Sequence, residues 1–229
     1  MGLPQHLRRR LGAGYGWRWL PRSEEQARRY ILNDADPERF DRSGREAAER
    51  LGPHLGPEST VLDLGCGIGR VALYVAPRCR SLWVVDASPV MLRYARRRLA
   101  DHSNVRYARS RGTSVPDVPA SSVDLVYSLL TLQHLEREDA FLLLEDTRRM
   151  LRPGGTAYLT FPNLLSDTYL DAFLGYARAG FSDRRARARF YTPQEVERVL
   201  GAAGLTVASL EAGTEIVAVC GVGASAAPG

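Results

Sequence analysis

The segment VLDLGCGIGR, residues 61–70, is the most informative part of this sequence. It begins as a short apolar strand and continues directly into three closely spaced glycines, Gly65, Gly67 and Gly69. Glycines at a strand-to-helix turn let the backbone approach a ligand closely and adopt dihedral angles that other residues avoid. The segment therefore predicts a ligand-binding loop at the carboxyl end of a buried strand.

From residue 60 onward, short apolar strands alternate with longer amphipathic segments. Strands are predicted at 60–64, 81–86, 104–108, 122–128 and 155–161, and helices at 68–77, 88–101, 137–151 and 192–203. Such alternation is typical of a mostly parallel sheet with helices on both faces. Two final apolar runs, 205–210 and 215–221, are separated only by a turn and predict an antiparallel hairpin at the sheet edge.

The residues before this alternating region form a helical segment of their own. Helices are predicted at 23–32 and 43–55, with Ser23 and Ser43 as the N-caps. We therefore expect residues 1–56 to form an N-terminal cover and residues 57–229 to form the main domain.

A long connection at 162–190 mixes aromatic residues, glycines and arginines without a clear period. Connections of this length are often lids or binding loops, so we expect an irregular lid insertion here. Its basic run, DRRARARF at 183–190, either holds an anionic group or forms the solvated face of a short helix. The chain's general preference for arginine favours the solvated face.

The charge of the chain gives little information about its partners. The net charge is +5, yet all 31 basic residues are arginine and none is lysine. Such a one-sided choice indicates the codon bias of a GC-rich genome more than selection for phosphate contacts. We therefore discount the basicity and expect no nucleic acid partner.

The three cysteines, Cys66, Cys79 and Cys220, form no close pair, which indicates reduced thiols and a cytoplasmic protein. The sequence has no apolar run of the length needed to span a bilayer, and it shows no ligand cluster that predicts a metal site. We expect a protein without membrane or metal; its oligomeric state is not predicted.

Two aspartates accompany the glycine loop. Asp63 lies inside the first apolar strand, where a buried carboxylate needs a charged or hydrogen-bonding partner. Asp86 ends the next strand, where an acid accepts hydrogen bonds from ribose hydroxyls. The glycine spacing differs from the dinucleotide pattern G-x-G-x-x-G, because Arg70 stands where the third glycine is expected. The pattern thus predicts a ribose-binding acid without a turn that binds pyrophosphate.

Four segments, in order, resemble the class I S-adenosylmethionine-dependent methyltransferases. VLDLGCGIGR resembles motif I of that family, VVDASPVML the segment after it, VDLVYSLLTLQHL the fourth-strand motif, and MLRPGGTAYLT the start of the fifth strand. The resemblance implies an α/β fold with a Rossmann-like, doubly wound, mostly parallel seven-stranded sheet that ends in an antiparallel hairpin strand. It implies S-adenosylmethionine as the cofactor and a small-molecule acceptor methylated on oxygen or nitrogen.

The resemblance also implies a cofactor site. The loop Gly65–Gly69 would face the methionine moiety, Asp63 would help to hold its ammonium group, and Asp86 would bind both ribose hydroxyls. Ala87 and Met91 would flank the adenine, and the backbone around Ser128 and Leu129 would touch the methionine tail. The full implied set is Asp63, Gly65, Cys66, Gly67, Gly69, Arg70, Asp86, Ala87, Met91, Arg111, Gly112, Thr113, Ser128 and Leu129.

One position departs from the family pattern. After the third strand such enzymes often carry Asp or Asn to recognise the adenine amino group, whereas this chain has Arg111, followed by Gly112 and Thr113. Arginine offers no acceptor to that amine. Either Arg111 stacks on the base or the backbone recognises it, so this position puts the cofactor affinity in question.

His134 is the candidate catalytic residue. Methyl transfer from a sulfonium mainly requires the protein to position the acceptor and exclude water, but a hydroxyl acceptor benefits from a general base. Of the four histidines, His134 alone follows the fourth strand directly, and some O-methyltransferases of this family use a histidine near this point. The alternative role is a hydrogen-bonded structural histidine. Gln133 beside it is suited to orienting substrate or cofactor.

For several other side chains, a structural role is preferred to a functional one. Trp17, Trp19 and Tyr30 could line an acceptor pocket under the N-terminal cover, but core packing is the preferred interpretation. Cys66 has no identifiable neighbouring base and is interpreted as a small loop residue.

Three other functions stay open at this point. A nucleic-acid methyltransferase fits the charge, but SLLT stands where an N/D-P-P-Y/F tetrad would follow the fourth strand. A non-catalytic S-adenosylmethionine-binding protein fits the Arg111 departure, since fold alone does not determine function. A nicotinamide-dependent reductase would require the glycine spacing to be misleading.

Overall fold

A computed structural model of the chain describes residues 21–32, 34–178 and 188–223. The chain divides into two compact units, with the division between Val118 and Pro119. The sequence expectations for Trp17, Trp19 and residues 183–187 lie outside the described residues.

Seven strands form one sheet in the order β3-β2-β1-β4-β5-β7-β6. In the first unit the strands are β1 (Thr60–Leu64), β2 (Ser81–Asp86) and β3 (Val105–Arg109). In the second unit they are β4 (Val123–Ser128), β5 (Leu151–Pro162), β6 (Thr206–Ala212) and β7 (Glu215–Gly221). β7 is antiparallel to both of its neighbours, β5 and β6. The pairs β1–β2, β2–β3 and β4–β5 are parallel. The predicted α/β fold, with its mostly parallel seven-stranded sheet and reversed C-terminal strand, is confirmed.

The helices of the first unit are α1 (Glu24–Leu32), α2 (Pro37–Arg50), α3 (Ala72–Val75) and α4 (Pro89–Arg98). Short 3₁₀ turns follow α2 at Gly52–His54 and α3 at Ala76–Arg78. α3 is much shorter than the predicted helix at 68–77. Gly67 and Gly69 have positive φ angles of 56° and 83°, which keep the loop non-helical, and Pro77 lacks the N–H that would continue the helix.

The start of α2 corrects a sequence prediction. Ser23 does cap α1, because its Oγ accepts a hydrogen bond of 3.1 Å from the backbone N–H of Gln26. Ser43, however, is not an N-cap: it lies inside α2, and its hydroxyl donates to the carbonyl oxygen of Phe40. The cap is Asp36, whose carboxylate accepts from two backbone N–H groups of the first turn. Aspartate followed by proline begins this helix six residues earlier than the apolar pattern suggested.

The helices of the second unit are α5 (Arg137–Met150), α6 (Asp167–Arg178) and α7 (Pro193–Ala202), and a 3₁₀ turn at Leu132–His134 precedes α5. α6 corrects the prediction that 162–190 is irregular, because it is a regular helix of 12 residues. Tyr169, Phe173 and Tyr176 recur at helical spacing, and the rings of all three contact the ring of Phe190. Contacts with a residue so distant in sequence stabilise a helix that local composition did not reveal.

The buried residues explain where the site lies. β1 is almost completely buried, with Val61, Leu62 and Leu64 at most 1% exposed. Its parallel pairing with β2 matches Leu64 with Val85, so both strands end at the same edge. The glycine loop and Asp86 follow these strand ends directly, and this places them side by side.

Candidate active site

The glycine loop is held on the end of β2 by its own backbone. The N–H groups of Gly65 and Cys66 both donate to the carbonyl oxygen of Val85, at 2.8 and 2.9 Å. Gly65 has a φ of 86°, in the region that glycine adopts without strain. The loop therefore keeps a tight turn directly above the strand that ends in Asp86.

Asp86 closes this turn from the other side. Its Oδ2 accepts from the backbone N–H of Gly67 at 3.0 Å, and its Oδ1 accepts from the N–H of Ser88 at 2.7 Å. The N-cap of α4 is Ser88, whose Oγ accepts from Met91 N, so Asp86 is not the capping residue. A carboxylate has about four acceptor positions, so two amide contacts leave room for hydroxyl donors.

Burial gives Asp86 an unusual acidity. Desolvation raises the pKa of its carboxyl group from 3.8 to about 6, although hydrogen bonds from the Ser88, Gly67 and Ala87 amides lower it. The group is therefore mostly ionised at pH 7 and becomes protonated in mild acid. A desolvated, ionised carboxylate at a strand end is chemically suited to accept both hydroxyls of a ribose.

Cys66 lies between two carboxylates and is buried. Desolvation, the charge of Asp86 and the charge of Asp63 hold the pKa of the Cys66 thiol well above its usual range. Asp63 itself is only 4% exposed within β1. The thiol therefore stays protonated at neutral pH and is not a nucleophile, which agrees with its interpretation as a small loop residue.

The N-terminal helices pack directly on the loop. A Cβ placed on Gly67 would lie 2.8 Å from Cδ1 of Ile31, so α1 closely approaches the loop backbone. Met91 belongs to a buried cluster with Ala27, Phe40 and Ile68. Met91 is thus packed against the helices that precede β1.

Arg70 points toward α2. Its guanidinium donates to Oγ of Ser43 at 3.2 Å, and the residue is only 7% exposed. A Cβ on Gly44 would lie 2.3 Å from the carbonyl oxygen of Arg70, so the helix needs glycine at this point. The side chain of Arg70 therefore contacts α2, and only the backbone of Arg70 lies next to the glycine loop.

The turn after β3 lies beside the backbone of Asp86. The N–H of Ser110 donates to the carbonyl oxygen of Asp86 at 3.1 Å, and the N–H of Gly112 donates to Oγ of Ser110 at 3.0 Å. Arg111 is exposed, and its backbone N–H donates to the carbonyl of Ser114. Gly112 has a φ of 97°, while Ala87 and Thr113 are half-buried.

In the second unit, Ser128 and Leu129 follow the end of β4. Ser128 is completely buried, and Leu129 is half-buried. The next residue, Leu130, has a φ of 58°, a rare conformation for a non-glycine residue. Its N–H donates to Oγ1 of Thr160 at 3.3 Å, which anchors the turn to β5.

His134 lies in the 3₁₀ turn that follows. Its Nε2 is 3.4 Å from Nε2 of Gln133. Burial, followed by the positive charge of Arg189, lowers the pKa of the imidazole from 6.5 to about 4. The ring is therefore neutral at pH 7 and able to take up a proton, but as a weak base.

Several known proteins are similar to this chain. Residues 61–155, from β1 to the start of β5, match the methyltransferase domain family. The human thiol S-methyltransferase TMT1B is 26% identical over 68% of this chain and 64% of its own. The malonyl-[acyl-carrier protein] O-methyltransferase of Salmonella typhimurium is 32% identical over 60% of this chain and 50% of its own. The chain thus spans between half and two thirds of the length of these curated relatives.

A solved structure of an S-adenosylmethionine-dependent methyltransferase from Clostridium acetobutylicum has the same fold. It superposes with a TM-score of 0.63 at 15% identity, covering 85% of this chain and 95% of its own. Residues 61–155 therefore belong to the methyltransferase domain family, and the chain has the fold of S-adenosylmethionine-dependent methyltransferases. Within the described residues, no helix combines the length and apolar character needed to cross a bilayer.

Sequence reasoning missed one feature of this chain. Arg189 was predicted to lie on a solvated face, but its side chain is only 18% exposed and it pairs with Glu136. Its backbone N–H donates to the carbonyl of Gln133 at 2.8 Å, and its Nη1 donates to the carbonyl of His134 at 3.4 Å. These residues are more than fifty positions apart, so no local pattern could have found the contacts.

Tyr30 also differs from its predicted role. It is 37% exposed, and its hydroxyl accepts from Nε2 of Gln26 on the same helix. Tyr30 therefore lies on the surface of α1 and is not part of the core. The core face of that helix is formed by Ala27, with Ile31 packed beside it.

Proposed function

We propose that this protein is an S-adenosylmethionine-dependent methyltransferase that transfers the methyl group to an oxygen or nitrogen of a small-molecule acceptor. The observation that carries the proposal is the joining of the glycine loop to Asp86 through the hydrogen bond from Gly67 N. An ionised carboxylate and a glycine turn at adjacent parallel strand ends are suited to a ribose that bears an amino acid.

Most of the predicted cofactor residues have a role in this proposal. Asp86 would accept hydrogen bonds from the ribose hydroxyls, the loop Gly65–Gly69 would lie against the methionine moiety, and Asp63 would help to hold the ammonium group. Ala87 and Met91 would flank the adenine, with Gly112 and Thr113 nearby. The buried position of Met91 supports an apolar wall on that side.

For the methyl transfer, the protein mainly has to position the acceptor. The cofactor, when bound, supplies a methyl group already activated on a sulfonium. The chain's own residues then orient the acceptor in line with that methyl group and exclude water. Backbone around Ser128 and Leu129, which is tied to β5 through Thr160, would contribute a rigid surface to this geometry.

His134 is proposed as the general base for an acceptor hydroxyl. Its ring is neutral at pH 7 and so able to take up a proton, although its low pKa of about 4 makes it a weak base. The two relatives described above are named for transfer to a thiol and to an oxygen, and neither is named for nitrogen. Among the two proposed acceptor atoms we therefore favour oxygen.

Calorimetric titration with S-adenosylhomocysteine, NAD and ATP tests the cofactor. We expect micromolar binding of S-adenosylhomocysteine alone, weakened at least about tenfold by Asp86→Asn. Asp101→Asn, an exposed carboxylate after α4, is the matched control and should leave the affinity unchanged. Preferential binding of NAD would instead establish a nicotinamide enzyme, and binding without turnover on any acceptor would favour a non-catalytic protein.

A second candidate, methylation of RNA, is favoured by one surface. Residues 93–111 contain seven arginines and one acidic residue, a net charge of +6 against +5 for the whole chain. Several of these guanidiniums stack on aromatic rings, among them Arg96 on Tyr107 at 4.3 Å and Arg106 on Trp83 at 5.6 Å. Stacked arginines beside aromatic rings suit a nucleic acid backbone, and RNA binding that weakens steeply with salt would support this candidate.

A further inference from the structure

The second unit contains a pocket of about 380 Å³ that none of the cofactor residues lines. Its wall is formed by the beginning of α5, by α6 and by the segment that leads into α7. The main lining residues are Glu136, Arg137, Leu164, Phe173, Arg189 and Phe190. Pockets of this size accommodate small organic molecules.

Two guanidiniums and one carboxylate line the pocket. Arg189, with 18% of its side chain exposed, pairs with Glu136, whose own side chain is 65% exposed. Arg137 donates to the carbonyl of Phe190 at 2.8 Å and pairs with Glu195 outside the lining. Arg189 is poorly solvated, so its charge is less screened than a surface charge and favours an anion more strongly.

Glu136 is a partner that a ligand can replace. It occupies the N-cap position of α5, yet its side chain makes no capping hydrogen bond there. The carboxylate therefore caps no backbone N–H of the helix, and its exposed side chain can turn into solvent when a ligand takes its place on Arg189. A ligand carboxylate could then take its place as the bidentate partner that a guanidinium prefers.

The opposite wall of the pocket is apolar. Phe190 is buried beneath the aromatic face of α6, with ring centroids 5.8 Å from Tyr169 and 5.7 Å from Tyr176. Phe173 lies at the pocket and is still 38% exposed. No residue of α6 is fully buried, so an apolar ligand body placed here would remove hydrophobic surface from water.

We propose that this pocket binds the methyl acceptor, and that the acceptor is a small amphiphilic monoanion. Its carboxylate replaces Glu136 on Arg189, and its apolar body, about the size of one aromatic ring with a short chain, lies on Phe173 and Phe190. The identity of this ligand as the methyl acceptor rests on the proposed function. Arg189 contacts the backbone of Gln133 and His134, so a bound carboxylate lies next to the turn that carries the proposed base.

Three probes of the same shape and different charge test the proposal: 3-phenylpropionate, 3-phenylpropanamide and 3-phenylpropylamine. Each is titrated into the full chain by calorimetry, without cofactor and with saturating S-adenosylhomocysteine. We expect the carboxylate to bind about tenfold more tightly than the amide. Equal affinity of the two, tighter binding of the amine, or no binding of the carboxylate up to about 10 mM would each overturn the proposal.

Glu136→Gln tests the displacement directly. Removing the competing carboxylate should tighten 3-phenylpropionate binding about three- to tenfold and leave the amide unaffected. Glu138→Gln, another exposed acid in the first turn of α5 that does not line the pocket, is the matched control. A structural role of Glu136 would weaken binding of both probes, and this outcome would also overturn the proposal.

A pair of matched substitutions on α6 tests the apolar wall. Phe173→Ala should weaken binding of the carboxylate and the amide alike, by about fivefold, whereas Leu170→Ala on the same helix should not. Both side chains are similarly exposed, at 38% and 41%, but only Phe173 lines the pocket. If S-adenosylhomocysteine fails to bind while the probes still bind as expected, the proposed methyl transfer fails and the anion pocket stands.

Discussion

The backbone N–H of Gly67 donates a 3.0 Å hydrogen bond to Oδ2 of Asp86, nineteen residues further along the chain. This bond ties the tip of the glycine loop to the end of the neighbouring strand. The carboxylate that we propose as the ribose acceptor also determines the shape of the loop that would hold the methionine moiety. Changes in the ionisation of Asp86 should therefore affect the whole cofactor site.

The affinity for S-adenosylhomocysteine should depend on pH in mild acid. Asp86 has a pKa of about 6 in the folded protein without ligand. Below this pH the carboxyl group gains a proton and loses one acceptor position for ribose hydroxyls. We expect the dissociation constant to be constant from pH 7 to 8 and to rise about tenfold for each pH unit well below 6. Calorimetry from pH 5 to pH 8 measures this; a flat profile would show that Asp86 does not bind the ligand as a carboxylate.

Asp86→Asn should stabilise the ligand-free protein at pH 7.5 while it weakens cofactor binding. Since the folded-state pKa lies above the ordinary value of 3.8, the folded protein binds the proton more tightly than the unfolded chain. The ionised group therefore costs stability at pH 7.5, and the cost disappears as the pH falls toward 4. We expect a gain of about 1 kcal/mol from urea unfolding at pH 7.5 and none at pH 4. A difference in stability between the two proteins that stays the same at pH 7.5 and pH 4 would contradict the assigned desolvation, because the hydrogen bond that Asn cannot accept is missing at both pH values.

Gly67→Ala should destabilise the protein and disturb the loop. The residue has a φ of 56°, and its new Cβ would lie 2.8 Å from Cδ1 of Ile31. We expect a cost of about 1–3 kcal/mol in thermal or urea unfolding, with weaker S-adenosylhomocysteine binding. Gly201→Ala is the control, because it lies inside α7 with open space around its Cβ position. That change should stabilise by up to about 1 kcal/mol.

The pKa of His134 should rise when Arg189 is neutralised. Burial is the larger cause of its low pKa of about 4, and the charge of Arg189 adds to it. In Arg189→Gln we expect an NMR titration of the imidazole to show a higher pKa that still lies below 6.5. An unchanged value would mean that the guanidinium charge does not reach the ring.

The same histidine should make the protein sensitive to acid. Between pH 6.5 and about 4 the unfolded chain binds a proton at this imidazole that the folded protein does not bind. Stability therefore falls as the pH falls through this range. His134→Gln should lose less stability between pH 7 and pH 4 than the parent protein, as measured by urea unfolding at both pH values. An equal loss in both proteins would indicate that the ring is solvated.

Much of the cofactor side could be predicted from sequence. The glycine loop follows β1 directly and Asp86 ends β2, so their closeness needs only the parallel pairing of two consecutive strands. The N-cap of α2 was misplaced because an Asp-Pro pair begins that helix within a charged segment, where apolar periodicity gives no signal. α6 was missed because its aromatic face is stabilised by Phe190, a residue outside the helix.

The order of strands and helices, the glycine turn and the acid beside it follow from the amino-acid sequence, since they depend on residues close together in the chain. The folded structure is needed to see which distant groups meet: Arg70 with Ser43, and Arg189 with Glu136 and the turn of His134. It is also needed to see which carboxyl and imidazole groups are desolvated, and hence their acidity. Burial and long-range pairing arise from the packing of whole helices and strands, so the local periodicity of the sequence does not predict them.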